Sequence, residues 1–344
     1  EKTQLPFDVF AACFYFLSRY EEYLPFEPDE HGRYKAENSV AYKNNLLQIA
    51  LVDRWIAYFG TILKQHFPDL ELKQPTFQFI PTYDIDNAFL YKSKDACIAL
   101  AGMAKQFFTG EWKSLQLRLQ VISGKRKDPY DTFDYLEKLH RQYHLQAIFF
   151  ILFAARSTYD KNNFINNKNF ISLIQRLEAN AKIGIHASYA SSFTHKKRLQ
   201  KEIYNLQNRI HQPIDSNRQH FLRLRLPESY DNLSANQIKN DYSMGYVSHI
   251  GFRAGTCFPF YFFDLQKNKT TTLQIHSFLF MENALCTFSD TSVSALWEQI
   301  KPCLEEVKKH KGELVTLFHN PSFGVESNID FKSLYEKIIH YTLE

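Results

Sequence analysis

The chain has 344 residues, 41 of them Lys or Arg against 37 Asp or Glu, interspersed apart from short clusters such as GKRK (124–127) and HKKR (195–198). A net charge of +4 spread in this way excludes the concentrated basic face of a nucleic-acid binder, and apolar runs no longer than AIFFILFAA (147–155) exclude a membrane-spanning helix of about 20 residues. Five scattered cysteines (Cys13, Cys97, Cys257, Cys286, Cys303), odd in number, form no C-x-x-C pair, which favours reduced thiols over a disulfide framework or a zinc ribbon.

Phe7, Phe10, Phe14 and Leu17 recur at helical spacing and predict an amphipathic helix running into SRYEEY (18–23). After the connector LPFEPDEHGRY, the stripe Leu51, Val52, Trp55, Phe59, Ile62, Leu63 predicts a second helix closed by Pro68 and Asp69. Residues 1–75 therefore form a helical segment, the cap or remnant of a preceding domain, and residues 76–344 the main domain. From residue 76 the pattern alternates. FQFIPTYD predicts a strand, DTFDYLEKLHRQY (131–143) a helix capped by Asp131 or Thr132, and QAIFFILF (146–153) a strand buried on both faces. FISLIQRLEAN, HKKRLQKEIYNLQNRI, PESYDNLSANQI, TSVSALWEQIKPCLEEVKKH and FKSLYEKIIHYTL predict helices; KIGIHAS (182–188), RQHFLRL (218–224), DYSMGYV, LQIHSFLF (273–280) and ELVTLFHN predict strands. Residues 88–128 fit neither period and are expected to be an insertion. Alternating strands and helices argue for an α/β protein with a parallel sheet, and about seven strand–helix units favour a barrel.

Catalytic residues of such barrels gather where strands end and loops begin. Asp84 and Asp86 end the first strand, His186 and Ser188 end KIGIHAS, Arg218 and His220 begin RQHFLRL, and His319 and Asn320 end ELVTLFHN. Asp84 and Asp86 are two positions apart, so on a continued strand both point the same way. Adjacent carboxylates repel and are costly to bury, which means they are exposed, paired with a cation, or used.

The order T-Y-D-I-D, G-I-H-A-S, R-Q-H-F, L-F-H-N resembles the polysaccharide deacetylase family, the NodB-homology or carbohydrate esterase 4 group, over roughly residues 76–344. The phrases GIHASYAS, RQHFLRLRLPESYDNL, DYSMGYVSHIGFRAGT and LFHNPSF, with the SRYEEY stretch near the start, look like a divergent bacterial branch of it. The resemblance implies a distorted (β/α)7 barrel that hydrolyses N-acetyl, sometimes O-acetyl, groups on a carbohydrate. By it, Asp84 matches the catalytic base, Asp86 the metal-binding aspartate, His186 the first metal-binding histidine, Arg218 the arginine that orients the base, and His319 the general acid. Three departures stand out: Asp-Ile-Asp replaces adjacent aspartates, Ala190 occupies the second histidine's place, and the arginine motif reads Arg218-Gln219-His220. His220 is read as the replacement ligand, giving an Asp–His–His set. Mixed O and N ligands suit zinc first, and also nickel, cobalt or iron.

Arg253, Tyr189, Phe258 and Phe260 are expected to line the sugar groove, with Arg253 equally open to binding an acidic group on the substrate or a structural carboxylate; Asp241, Asp264 and Glu282 are the candidates for holding His319; Arg19 and Glu22 are read as structural. Other readings stay open: a catalytically degenerate glycan-binding barrel, a metal-free hydrolase of another non-peptide C–N bond, and a D-x-D glycosyltransferase. The expected compartment is cytoplasmic, but a chain opening at Glu1 without methionine makes the lack of a leader pattern weak evidence.

Overall fold

The apolar run after Gln146 becomes a strand whose residues are divided between two cores, Phe149 and Ile151 on one face and Ile148 and Phe150 on the other. This is the period-two alternation of a strand covered on both sides. The computed structural model describes residues 5–92, 94, 96–193, 196–325 and 327–344. Its strands are β1 (Gln78–Ile85), β2 (Ile148–Ile151), β3 (Lys182–Ala187), β4 (Ser216–Gln219), β5 (Asn240–Asp241), β6 (Phe260–Asp264), β7 (Lys269–Ile275), β8 (Phe278–Met281) and β9 (Glu313–His319). They form one nine-stranded sheet in the order β6-β7-β5-β4-β3-β2-β1-β9-β8. Every pairing is parallel except the β6–β7 hairpin.

The helices are α1 (Val9–Leu17), α2 (Val40–Lys43), α3 (Leu51–His66), α4 (Ala96–Phe108), α5 (Trp112–Ile122), α6 (Phe133–Tyr143), α7 (Lys168–Glu178), α8 (Lys196–Gln207), α9 (Glu228–Ala235), α10 (Glu282–Leu285), α11 (Val293–His310) and α12 (Phe331–Leu343). Caps follow the expected chemistry at Asn167, Ser292 and Asp330, whose side chains accept from the first turns of α7, α11 and α12. The expected cap of α6 differs: Thr132 precedes it, but its hydroxyl donates to the Asn320 carbonyl at 2.9 Å instead. The insertion at 88–128 is mainly the helix pair α4 and α5. Ser93 and Asp95 within it, and His195 at the predicted start of α8, lie outside the described residues. Among the described residues no helix is long and apolar enough to cross a membrane.

The sheet is strongly curled. Arg218 on β4 reaches Asp84 on β1 at 3.0 Å, and its guanidinium carbon lies 5.6 Å from the ring centre of Phe278 on β8. In a flat sheet β4 and β8 are five strands, about 24 Å, apart. Among the described residues no ladder joins β8 to the β5–β7–β6 edge. The loop after β5 spans the gap instead, with Phe278 donating to the Met244 carbonyl at 3.0 Å and Gly251 to the Leu279 carbonyl at 2.9 Å. In place of the expected distorted (β/α)7 barrel, the structure is a mixed α/β fold whose curled nine-stranded sheet makes a half-barrel. Three predicted strands are also revised; DYSMGYV (241–247) keeps only Asp241, at the end of β5. LQIHSFLF breaks at His276-Ser277 into β7 and β8, which sit far apart in the sheet order. RQHFLRL ends at Gln219, because Phe221 (φ 59°) and Leu222 (φ 50°) adopt left-handed backbone that no strand accommodates.

The N-terminal segment packs a small core of its own, Val9, Cys13, Phe16, Ala41 and Val52. It is tied to the rest by buried polar contacts: Asp53 accepts from Thr256 Oγ1 (2.6 Å) and the Cys257 N–H (2.8 Å), and Phe252 donates to the Leu47 carbonyl (2.7 Å).

Candidate metal and catalytic centre

Parallel strands put their C-terminal ends on one rim, and the register decides which side chains meet there. Asp84 pairs with His319 across β1 and β9, and His186 pairs with Arg218 across β3 and β4. On β1 the outer face carries Tyr83 and Ile85 into the main core, so Thr82 and Asp84 turn to the concave face. The same alternation sends Ile183 and Ile185 outward and His186 inward.

Asp86 lies just past β1, at the centre of three imidazoles. Its Oδ1 is 3.2 Å from His186 Nε2 and 3.6 Å from His220 Nε2, and its Oδ2 is 3.8 Å from His319 Nε2. Each ring is anchored through its other nitrogen. His186 Nδ1 lies 2.8 Å from the Arg218 carbonyl, His220 Nδ1 2.9 Å from Asp160 Oδ1, and His319 Nδ1 2.6 Å from Glu282 Oε1. A carbonyl only accepts and carboxylates do so when ionised, so each Nδ1 carries a proton and each Nε2 faces Asp86. Asp86 Oδ1 is buried and, among the described residues, has no hydrogen-bond donor. Imidazole Nε2 atoms facing a carboxylate at these distances call for a proton or a cation between them.

The electrostatics agree. Burial opposes ionisation of Asp86, but the facing His220, then His186 and His319, hold its carboxyl well below the usual range. Burial likewise works against a charged His220, yet Asp86 and Asp160 push it up to about 9. A pocket whose field recruits positive charge in this way fits a divalent ion. Asp86, His186 and His220 offer ligand atoms all within 4.8 Å of one another, with the outward nitrogens fixed as in known metal-binding histidines.

Beside this cluster, Asp84 accepts from Arg218 Nη1 at 3.0 Å and approaches His186 Nε2 at 3.8 Å. Arg218 is fully buried, donates through Nε to the Tyr242 carbonyl at 2.9 Å, and lies 4.7 Å from the Phe150 ring centre. His319 also suffers desolvation, but Glu282 beside it raises its pKa to about 10. Of the three carboxylates considered for holding His319, Glu282 does so. Asp241 instead binds Asn217 and Ser243, and Asp264 binds Lys267.

The remaining sequence-predicted residues separate. Tyr189 is near the centre: its N–H donates to Asp160 at 2.7 Å and its ring lies 4.2 Å from that of Tyr159. Ala190, at the place of the absent second histidine, donates its N–H to the same Asp160 carboxylate at 3.2 Å. Ser188 is occupied by Glu202, to which its hydroxyl donates at 2.6 Å. Arg253 is committed to a buried ion pair. It is 3 % exposed and forks onto Glu22 at 3.0 and 2.7 Å, while Arg19 binds the same carboxylate at 2.8 Å. Phe258 is also remote, since the adjacent Cys257 carbonyl accepts from Glu313 at the start of β9, about 20 Å along the strand from His319. It packs against the main core, and Phe260 beside it opens β6. Sequence reasoning missed Asp160, Tyr159 and Phe221. Asp160 could have been found only as an acidic residue in the polar loop that follows β2 on the functional rim.

Residues 1–68 match the model of a family described as a family of unknown function (DUF7033). No curated protein matches the chain. Among solved structures it is similar to a protein from Mycobacterium smegmatis named as a polysaccharide deacetylase, with 13% identity, TM-score 0.48, and coverage of 79% of this chain and 86% of that one. It is also similar to a polysaccharide deacetylase from Bacillus cereus, with 12% identity, TM-score 0.35, and coverage of 77% and 86%. Likenesses this low carry no argument, and the function is read from the site's own residues.

Proposed function

We propose that the protein is a metal-dependent hydrolase that removes N-acetyl, or O-acetyl, groups from a carbohydrate. The observation that carries the reading is Asp86 facing three imidazole Nε2 atoms whose Nδ1 atoms are all engaged outward. Asp86, His186 and His220 would hold the ion, with zinc the first candidate from the donor set. When bound, such an ion polarises the acetyl carbonyl and lowers the pKa of a water from 15.7 towards about 7. Asp84 accepts the proton of the attacking water, oriented by the Arg218 guanidinium on one of its oxygens. His319, protonated and held by Glu282, delivers a proton to the departing nitrogen or oxygen. An amine expelled without that proton is a poor leaving group, so a base and an acid on separate strands are both required. The aromatic wall of Tyr159 and Tyr189 provides an apolar face for a sugar ring.

The test is metal content measured together with acetate release from a panel of N- and O-acetylated glycans, wild type against Asp86→Ala. Loss of both metal and activity in the variant is the expected result. A wild type that binds no divalent ion after incubation with zinc, nickel, cobalt or iron, and that releases no acetate, overturns the reading.

A further inference from the structure

His220 is followed at once by two residues in left-handed backbone, Phe221 at φ 59° and Leu222 at φ 50°. Neither is glycine, so this turn is costly and persists only where its surroundings hold it. The N-terminal segment supplies the hold. Arg33 Nη1 donates to the Phe221 carbonyl at 2.8 Å, and Arg223 Nε donates back to the His31 carbonyl at 2.9 Å. The turn at 29–33 is itself fixed by Asp29, which accepts from the His31 and Arg33 N–H groups, both at 2.9 Å, and from Arg33 Nε at 2.6 Å. The His31 ring then packs edge-on against Phe221, Tyr159 and Tyr189, at centroid distances of 4.8, 5.6 and 5.8 Å. On the far side, the His220 and Phe221 rings are 4.7 Å apart.

From these contacts we infer that the 29–33 turn of the N-terminal segment is part of the metal centre, with Arg33 a positioning residue for His220. The inference rests on the metal reading of Asp86, His186 and His220. His220 enters the centre from a short turn instead of a strand, so its aim depends on what grips that turn. Asp160 fixes the rotation of the ring, and Arg33 fixes the backbone from which the ring projects. Arg33 therefore acts on the ion through His220 and touches neither the ion nor the substrate.

The experiment loads full-length protein with cobalt(II) and with zinc(II), reading affinity against a competing chelator and the visible absorption of the cobalt form. Near-ultraviolet circular dichroism and the melting temperature report folding. Arg33→Met keeps the aliphatic stem but no donor, and is expected to weaken metal binding on the order of tenfold and to change the cobalt spectrum. Arg33→Lys, which restores one donor, is expected to recover part of the affinity. Arg54→Ala is the control, because it removes a half-exposed pair with Glu306 elsewhere between the segment and the body; it is expected to bind metal as wild type does. If Arg33→Met fails to fold, Asp29→Asn loosens the same guanidinium and is expected to show a smaller loss. Wild-type affinity and spectrum in a folded Arg33→Met or Asp29→Asn, or an equal loss in Arg54→Ala, overturns the inference while leaving the metal site standing. A wild type that binds neither ion overturns both.

Discussion

His186 and Arg218 are register partners across β3 and β4, and the carbonyl of Arg218 accepts the Nδ1 proton of His186 at 2.8 Å. One residue thereby serves two others, since its guanidinium holds Asp84 at 3.0 Å while its backbone sets the His186 tautomer. The two services are separable by substitution. Arg218→Lys keeps the backbone acceptor and a charge but loses the guanidinium fork that reaches Asp84 and Tyr242. Turnover is expected to fall at least about tenfold, an effect of roughly 1.4 kcal/mol, while cobalt affinity stays near wild type. Acetate release and metal titration of the same preparation check this, and a parallel loss of metal affinity contradicts it.

Asp160 touches neither Asp84 nor Asp86, yet it orients His220 at 2.9 Å and is itself cradled by the N–H groups of Tyr189 and Ala190. Asp160→Asn keeps the shape but gives up the charge that favours the Nδ1 protonated form. On the proposed metal reading, affinity is expected to drop about 10- to 100-fold, as it does when outer partners of metal-bound histidines are changed. A chelator competition assay measures it, and unchanged affinity would show that His220 is not a ligand.

Under the proposed mechanism, the pH dependence of turnover follows from His319. Desolvation opposes its charge, and Glu282 outweighs it, setting the ring at about 10, above its ordinary 6.5. A raised folded value means that the stabilisation from the protonated ring is fully present below about 6.5 and is lost as pH rises through about 10; a bound dication draws that upper value down. Glu282→Gln removes the raising charge, so the alkaline limb of the kcat profile is expected to move to lower pH by one unit or more. A limb that stays in place would mean that another group supplies the proton.

A second titration governs stability alone. His140 is buried against the Tyr83 hydroxyl at 2.9 Å, and burial lowers it to about 4. A depressed folded value means that stability is fully present above about 6.5 and is lost as pH falls through 4, by about 3 kcal/mol in all. Urea midpoints at pH 7 and pH 4 are expected to differ less in His140→Gln than in wild type. An identical pH response in the variant would assign the acid sensitivity to other groups.

What could be read beforehand follows from what each pattern encodes. The alternation of Tyr83, Asp84 and Ile85 and of Ile185, His186 and Ala187 displays which side chains share the concave face, and the structure brings Asp84, Asp86, His186, Arg218, His220 and His319 together there. Periodicity does not encode which strand lies beside which. LQIHSFLF therefore looked like one strand although β7 pairs with β5 and β8 with β9. Left-handed backbone at Phe221 and Leu222 leaves no mark in residue type, because glycine is absent. The sequence left Arg253 open between a ligand and a structural carboxylate, because its partner, Glu22, is 231 positions away. Asp160 and Glu282 are single acids whose roles exist only once β2, β8 and their loops are folded.

The fork of Arg253 on Glu22 carries a practical consequence for anyone who shortens this protein. Starting the chain after residue 68 would strip a buried guanidinium of its counter-ion and take the Leu47 carbonyl from Phe252 and the Asp53 carboxylate from Thr256 and Cys257. The point where the family match stops is thus no seam at which the molecule can be dissected, and a transplanted half-barrel must bring the first sixty-odd residues with it.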